Sequence, residues 1–137
     1  MWNDNVVDVR LPSTVMFVEH VVSDLAAMYD EAGVTLDSLH FGGDEVPTGC
    51  WGGDDPADAD AAHALFAGFM KTCGESAARH GARLAGWEEV FLESEESEDS
   101  RPPKGVAYVW NNIWGWGQED AAYRLANART DVVLCNA

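Results

Sequence analysis

Two adjacent carboxylates follow a pair of glycines in the segment 40–45, which reads HFGGDE. A protonated carboxyl can act as a general acid, and a carboxylate beside it can orient a polar group of the substrate. An Asp-Glu pair alone is a weak signal, since most such pairs cap helices or face solvent. Neighbouring residues in a regular strand point to opposite faces. Gly42 and Gly43 permit the bend that would aim both Asp44 and Glu45 at one ligand.

Two tryptophans occupy comparable places further along the chain. Trp87 precedes two glutamates, Glu88 and Glu89, and Trp110 precedes two asparagines. A flat indole suits the apolar face of a pyranose ring and the methyl of an acetamido group, although an arbitrary tryptophan is more often a core residue. Nothing in the sequence fixes the direction of Glu88 or Glu89, so both stay outside the predicted site.

Apolar periodicity and breaker residues predict helices and strands that alternate along most of the chain. Strands separated by helices imply parallel pairing, and the carboxyl ends of parallel strands form one rim. Asp44, Trp87 and Trp110 should therefore meet at that rim. Ser13 or Thr14 can cap the first helix. The predicted helices cover 12–33, 61–81 and 118–128, and the predicted strands cover 36–41, 82–87, 105–110 and 131–135, in the order α-β-α-β-β-α-β.

Charge excludes one large class of partners. The formal net charge is −16, with 24 acidic and 8 basic residues, so binding to nucleic acid is very unfavourable. No apolar run is long enough to predict insertion into a membrane, and the start of the chain lacks the regions of a signal peptide. The acidic run 54–60 favours a helix N-terminus over a calcium loop, and 93–103 is predicted to be a surface loop.

Three cysteines, Cys50, Cys73 and Cys135, are scattered without metal-site spacing. They predict neither a zinc site nor a disulfide framework, and their simplest interpretation is that of small apolar residues.

The string 40–47 resembles the H-x-G-G-D-E signature of glycoside hydrolase family 20, the β-N-acetylhexosaminidases. Segments 85–89, 108–111 and 123–127 resemble the bacterial chitobiase branch of that family. The resemblance implies an α/β fold and a partial (β/α)8 TIM barrel, in which residues 1–137 supply about the fourth to seventh strands of the catalytic domain. Such barrels need ~250 residues, so the remaining strands are expected to be absent from this chain.

The resemblance also implies a mechanism and roles for named residues. Terminal non-reducing β-linked N-acetylhexosamine would be hydrolysed with retention, and the acetamido oxygen of the substrate would serve as nucleophile. Glu45 would be the general acid and later the base, and Asp44 would orient the acetamido N–H. Trp87 and Trp110 would wall the sugar pocket, and His40 would lie hydrogen-bonded behind the carboxylates, unless it is a core histidine. No metal or cofactor is implied.

Expected substrates are oligosaccharides that contain N-acetylglucosamine or N-acetylgalactosamine, with chitobiose-like sugars foremost. The parent enzyme is expected to be periplasmic or secreted, as in the family. The isolated chain is expected to have little or no activity, and open barrel edges favour its self-association. Trp51, Trp114 and Trp116 either shape a second sugar subsite or anchor loops, with anchoring slightly favoured.

Two other interpretations remain open at this point. A non-catalytic N-acetylglucosamine-binding or degenerate module would keep the tryptophan walls without turnover, but such a module does not need a general acid. Another barrel glycosidase would use Glu45 with a distant carboxylate, and it would tolerate substrates that lack the 2-acetamido group.

Overall fold

The computed structural model describes residues 6–47, 49–51, 56–92 and 102–135. Helices and strands alternate strictly, which confirms the α/β class. In chain order the elements are α1 Pro12–Glu31, β1 Ser38–His40, α2 Pro56–Arg79, β2 Arg83–Trp87, α3 Glu88–Leu92, β3 Val106–Val109, α4 Ala121–Asn127 and β4 Asp131–Leu134.

The four strands form one parallel sheet in the order β1-β2-β3-β4. Leu39 pairs with Leu84, Gly86 with Ala107, and Tyr108 with Val133. Each strand therefore lies beside the strand that precedes it in the sequence. All four carboxyl ends point to the same edge of the sheet, as the alternation of elements predicts.

The main core lies between the sheet and the helices. Buried residues of the strands pack against apolar residues of α2, α3 and α4, which belong to the same cluster. Burial of these side chains is the principal stabilising contribution to the fold. The cluster includes Phe66, Met70, Cys73, Leu84, Val90, Ala107, Val109 and Leu125.

The start of α1 differs from the prediction. Leu11 is the N-cap residue and Pro12 the first helical residue, and no side chain caps this end. Ser13 and Thr14 lie inside the first turn, too late to be N-cap residues. The hydroxyl of Thr14 donates instead to the carbonyl oxygen of Asp8, at 2.7 Å. Pro12 explains the early start, since its fixed φ suits this position and it has no N–H to satisfy.

The sequence pattern also missed a helix. α3 has five residues, which is too short for an apolar period to be recognised. α3 begins directly after β2, and its first turn contains Glu88 and Glu89. The predicted acidic surface loop lies mostly in 93–101, outside the described residues, as do Asp54 and Asp55 of the other acidic run. Within the described ranges, no helix combines the length and apolarity of a membrane span.

Candidate active site

The chain bends sharply after β1. Gly42 and Gly43 have φ values of +75° and +95°, and Glu45 also adopts a positive φ of +48°. Glycine occupies this region without a steric penalty, whereas Glu45 is held in a conformation that is uncommon for residues with a side chain. Such conformations persist where the surroundings determine them, and they occur often at functional sites. The predicted bend is therefore present.

Gly43 is also a point of close approach. A Cβ atom there would overlap Cγ2 of Val90 in α3 and would lie 3.3 Å from atoms of both Met70 and Phe66. Because Gly43 has no side chain, the bend packs directly against α2 and α3.

Asp44 and Glu45 are both exposed and line the same cavity of about 610 Å³. The other walls of this cavity come from residues 6–9, from the loop after β1 and from α2. Neither Trp87 nor Trp110 belongs to this lining. The structure therefore brings the two carboxylates together but places the two predicted indole walls outside the cavity that the carboxylates face.

Trp51 anchors the loop that follows the carboxylates. Its side chain is only 6% exposed, and its indole N–H donates to the carbonyl oxygen of Val7 at 2.9 Å. Nη1 of Arg10 donates to the carbonyl oxygen of Trp51 at 2.8 Å, and the same guanidinium pairs with Asp8. The burial of this indole and its satisfied N–H favour the loop-anchor interpretation, although Trp51 also lines the cavity of Asp44 and Glu45.

Backbone hydrogen bonds continue the β1–β2 pairing into the bend. Phe41 N–H donates to the carbonyl of Ala85 at 2.9 Å, and Trp87 N–H donates to the carbonyl of Gly42 at 3.0 Å. These bonds fix the end of β2 relative to the bend. These two backbone hydrogen bonds consequently hold Trp87 in a fixed position relative to the turn that carries Asp44 and Glu45.

Three rings from three strands form a cluster. His40 lies edge-on to Trp87 and to Tyr108, with ring centroids 5.1 and 4.8 Å apart. Nδ1 of His40 accepts the backbone N–H of Gly42 at 3.1 Å. Burial lowers the pKa of His40, and the negative charge of Asp44 partly opposes that change. The ring of His40 thus holds the backbone of Gly42 in the bend and lies within electrostatic range of Asp44.

Trp110 is half-buried and lies directly after β3. Its backbone is held by Glu88, a residue whose side-chain direction the sequence does not predict. Glu88 is 2% exposed, and its two oxygens accept the backbone N–H groups of Trp110 at 3.1 Å and Asn111 at 2.9 Å. A buried carboxylate needs such hydrogen bonds because its desolvation is costly. Only the observed turn from β2 into α3 reveals this direction.

Glu89 is the second acidic residue in the first turn of α3, and it is half-buried. Its pKa is raised to about 7, chiefly by burial; the negative charges of Glu88 and Asp44 act in the same direction, while its own backbone N–H opposes the change. Glu89 therefore lies within electrostatic range of Asp44 and close to the indole of Trp110. A half-buried carboxyl with a pKa raised this far is a candidate functional group.

Several buried polar atoms at this rim have no hydrogen-bond partner within the described part of the chain. Native proteins satisfy most such atoms with protein groups or ordered water, so these mark a place where polar ligand atoms or water can bind. They are Glu89 Oε2, Trp110 Nε1, Asn111 Oδ1 and Gln118 Oε1.

Trp114 and Trp116 protrude from the β3–α4 loop, with 90% and 59% of their surface exposed. Both are accessible, so the second-subsite interpretation stays a prediction for this pair and for Trp51, which lines the cavity. Cys50, Cys73 and Cys135 are all free. Among the residues described, no three His, Cys, Asp or Glu side chains converge to hold a metal ion.

Comparison with known proteins gives one consistent family. The profile of glycosyl hydrolase family 20, catalytic domain, matches residues 2–137. The chain is 28% identical over 140 residues to a β-hexosaminidase of Vibrio furnissii, covering 97% of this chain and 20% of that protein. Over 36 residues, 26% of this chain and 4% of the relative, it is 51% identical to an N,N'-diacetylchitobiase of Vibrio harveyi.

A solved structure agrees with these relatives. The exo-β-N-acetylglucosaminidase of Vibrio harveyi, in complex with N-acetylglucosamine, superposes with a TM-score of 0.70 at 28% identity. The match covers 98% of this chain and 20% of the other. The chain thus spans about a fifth of the length of the relatives that it matches along most of its sequence.

Proposed function

This chain belongs to glycosyl hydrolase family 20, and from that premise we propose that it carries the acid/base half of a β-N-acetylhexosaminidase site. The reaction is hydrolysis of terminal non-reducing β-linked N-acetylhexosamine. The observation that carries the proposal is the bend at Gly42–Glu45, where strained backbone presents Asp44 and Glu45 to one cavity. The wider protein's substrates are oligosaccharides that end in N-acetylglucosamine or N-acetylgalactosamine.

The proposed mechanism assigns one task to each carboxylate. Glu45 donates a proton to the glycosidic oxygen as the acetamido oxygen of the substrate attacks the anomeric carbon, and it then takes a proton from the incoming water. Asp44 accepts the acetamido N–H and stabilises the positive charge that develops on the ring being formed. Both carboxylates are exposed here, so substrate has direct access to them.

The two indoles supply binding in this proposal. Trp87 lies at the end of β2 and is tied to the bend by its backbone, and Trp110 lies beside Glu89, which is itself in range of Asp44. An indole at each place can stack on the sugar or enclose the acetamido methyl. Because they lie outside the cavity that the carboxylates line, the sugar must bridge the two regions across the carboxyl edge of the sheet.

The same premise extends to architecture. We infer that β1 to β4 are the fourth to seventh strands of a (β/α)8 barrel, supported by their parallel, sequential order. The outer strands, β1 and β4, have no further neighbour among the described residues. We expect purified 1–137 to self-associate through these edges. Since the net charge of −16 opposes association, sedimentation velocity should show larger species as salt is raised from about 0.05 to 0.5 M.

The direct test uses the full-length gene product and an aryl N-acetyl-β-glucosaminide. Glu45→Gln should reduce kcat by at least about 100-fold with little change in melting temperature, because general acid catalysis is worth ~10²–10⁴-fold. Asp44→Asn should reduce hydrolysis of this substrate far more than any turnover of the matching aryl glucoside. Glu119 is an acidic residue on the β3–α4 loop. Glu119→Gln serves as the matched control and should leave kcat unchanged.

Three results would overturn the proposal. Full activity of Glu45→Gln would show that Glu45 is not the general acid. Equal hydrolysis of the aryl glucoside would indicate a different barrel glycosidase. Binding of N-acetylglucosamine by the unaltered protein without hydrolysis would indicate a sugar-binding module. The isolated 137-residue chain should show little or no turnover in the same assay.

A further inference from the structure

Glu88 makes a contact that strand pairing alone does not provide. In β2 and β3, Trp87 pairs with Tyr108, and β3 ends at Val109. The next two backbone N–H groups, at Trp110 and Asn111, both donate to the carboxylate of Glu88. One side chain therefore satisfies the backbone where the chain leaves the sheet.

The position of Glu88 is itself fixed. Its neighbour Trp87 donates its backbone N–H to Gly42, and Val90, two residues later, packs under Gly43. Glu88 is also among the most completely buried large side chains described. The carboxylate of Glu88 consequently fixes the backbone of Trp110 relative to the bend and to β2.

We propose that Glu88 is a positioning residue that sets the spacing of the Trp87 and Trp110 indoles for a sugar bearing a 2-acetamido group. This inference rests on the proposed function, since it assumes that these indoles contact the sugar. Glu88 itself touches no substrate. It acts through two backbone hydrogen bonds, and a small displacement of a binding group is enough to lower catalysis by up to about 100-fold.

The decisive variant is Glu88→Gln in the full-length gene product. Glutamine has the same shape, but its amide nitrogen cannot accept one of the two N–H groups, so Trp110 should shift. We expect Kd for N-acetylglucosamine and KM for the aryl N-acetyl-β-glucosaminide to rise by about 10-fold or more. Amide hydrogen exchange at Trp110 and Asn111 should accelerate in the same variant.

Glu119→Gln is the matched control. Glu119 also accepts a backbone N–H, that of Gly115, on the same β3–α4 loop, whereas the backbone N–H groups of Trp110 and Asn111 donate to Glu88. It should leave Kd, KM and the exchange of both amides unchanged. A Glu88→Gln protein with lower melting temperature but unaltered Kd and KM would overturn the proposal, because Glu88 would then be purely structural.

Two further measurements cover a variant that fails to fold. Glu88→Asp keeps both oxygens and the charge, so it should retain tighter binding than the glutamine variant; equal binding by Glu88→Asp and the unaltered protein would contradict a geometric role. In the unaltered protein, N-acetylglucosamine should shift the amide resonances of Trp110 and Asn111, and unchanged resonances would overturn the inference.

If Glu45→Gln is inactive while Glu88→Gln behaves normally, only this inference fails; if Glu45→Gln is active, the proposed function fails.

Discussion

The backbone N–H of Trp87 lies 3.0 Å from the carbonyl oxygen of Gly42 and donates a hydrogen bond to it. Gly42 is already past the end of β1, so this bond extends the pairing of the two strands beyond the sheet. It joins the turn that carries Asp44 and Glu45 to one of the proposed walls of the sugar pocket. Changes in the turn should therefore affect binding as well as proton transfer.

Gly43→Ala should be strongly destabilising. An added Cβ would overlap Val90, and φ of +95° is unfavourable for alanine, so we expect a loss of about 2–4 kcal/mol in the free energy of unfolding. Urea denaturation measures this loss. Activity of the folded fraction should fall too, because relief of the overlap must move the bend.

Gly33→Ala is the control for that substitution. Gly33 has a similar positive φ of +66°, but a Cβ there would meet no atom within 4 Å. Only the backbone penalty of about 1–2 kcal/mol is then expected. Equal losses for the two variants would show that contact with Val90 contributes nothing.

Glu89 should make stability fall as pH rises towards neutrality. Its pKa is raised from 4.5 to about 7 in the folded protein, so the folded state binds the proton more tightly than the unfolded chain does. The contribution is fully present below pH 4.5 and is lost as pH rises to about 7. Glu89→Gln should flatten the pH dependence of the melting temperature across this interval.

The difference between the unaltered protein and Glu89→Gln isolates this group from the other carboxylates. A difference that stays constant from pH 4.5 to 7 would contradict the raised pKa. Because Trp110 is near Glu89, its fluorescence should report the same titration, and the glutamine variant should lose that transition.

Trp51→Phe should separate anchoring from sugar binding. Phenylalanine keeps much of the apolar packing but cannot donate to the carbonyl of Val7, so the free energy of unfolding should fall by about 1–2 kcal/mol. Trp114→Phe, at a position that is 90% exposed, should change it by less than about 0.5 kcal/mol. Thermal denaturation compares the two, and equal effects would argue against the anchor.

Cys73 should resist alkylation in the native protein. Burial raises the pKa of its thiol to about 12, and its side chain is 1% exposed, so it forms almost no accessible thiolate at pH 8. Cys50 and Cys135 are half-buried and should react first. Mass spectrometry after brief iodoacetamide treatment should find Cys73 unlabelled until denaturant is added; early labelling of Cys73 would show that this part of the core opens locally.

The sequence predicted the fold well because its signals are local. Helix periodicity in 12–33, strand runs and the glycine pair each act within a few residues, and the parallel order follows from their alternation. The role of Glu88 was beyond reach, because it depends on a five-residue helix and on amides 22 and 23 positions away. Trp51 shows a similar limit, since its partner at Val7 lies 44 positions earlier.

Strand order has a consequence for how the chain reaches this fold. Every pairing joins successive strands, so the sheet can grow unit by unit as the chain leaves the ribosome. The pairing of Ala85 with Val106 joins residues 21 positions apart, against 25 for Val106 with Asp131 and 45 for Ser38 with Arg83. Loop-closure entropy is therefore least unfavourable for β2–α3–β3. Nucleation is favoured there on entropic grounds, while β1 and the turn that carries Asp44 and Glu45, although synthesised first, pair with a partner more distant in the sequence.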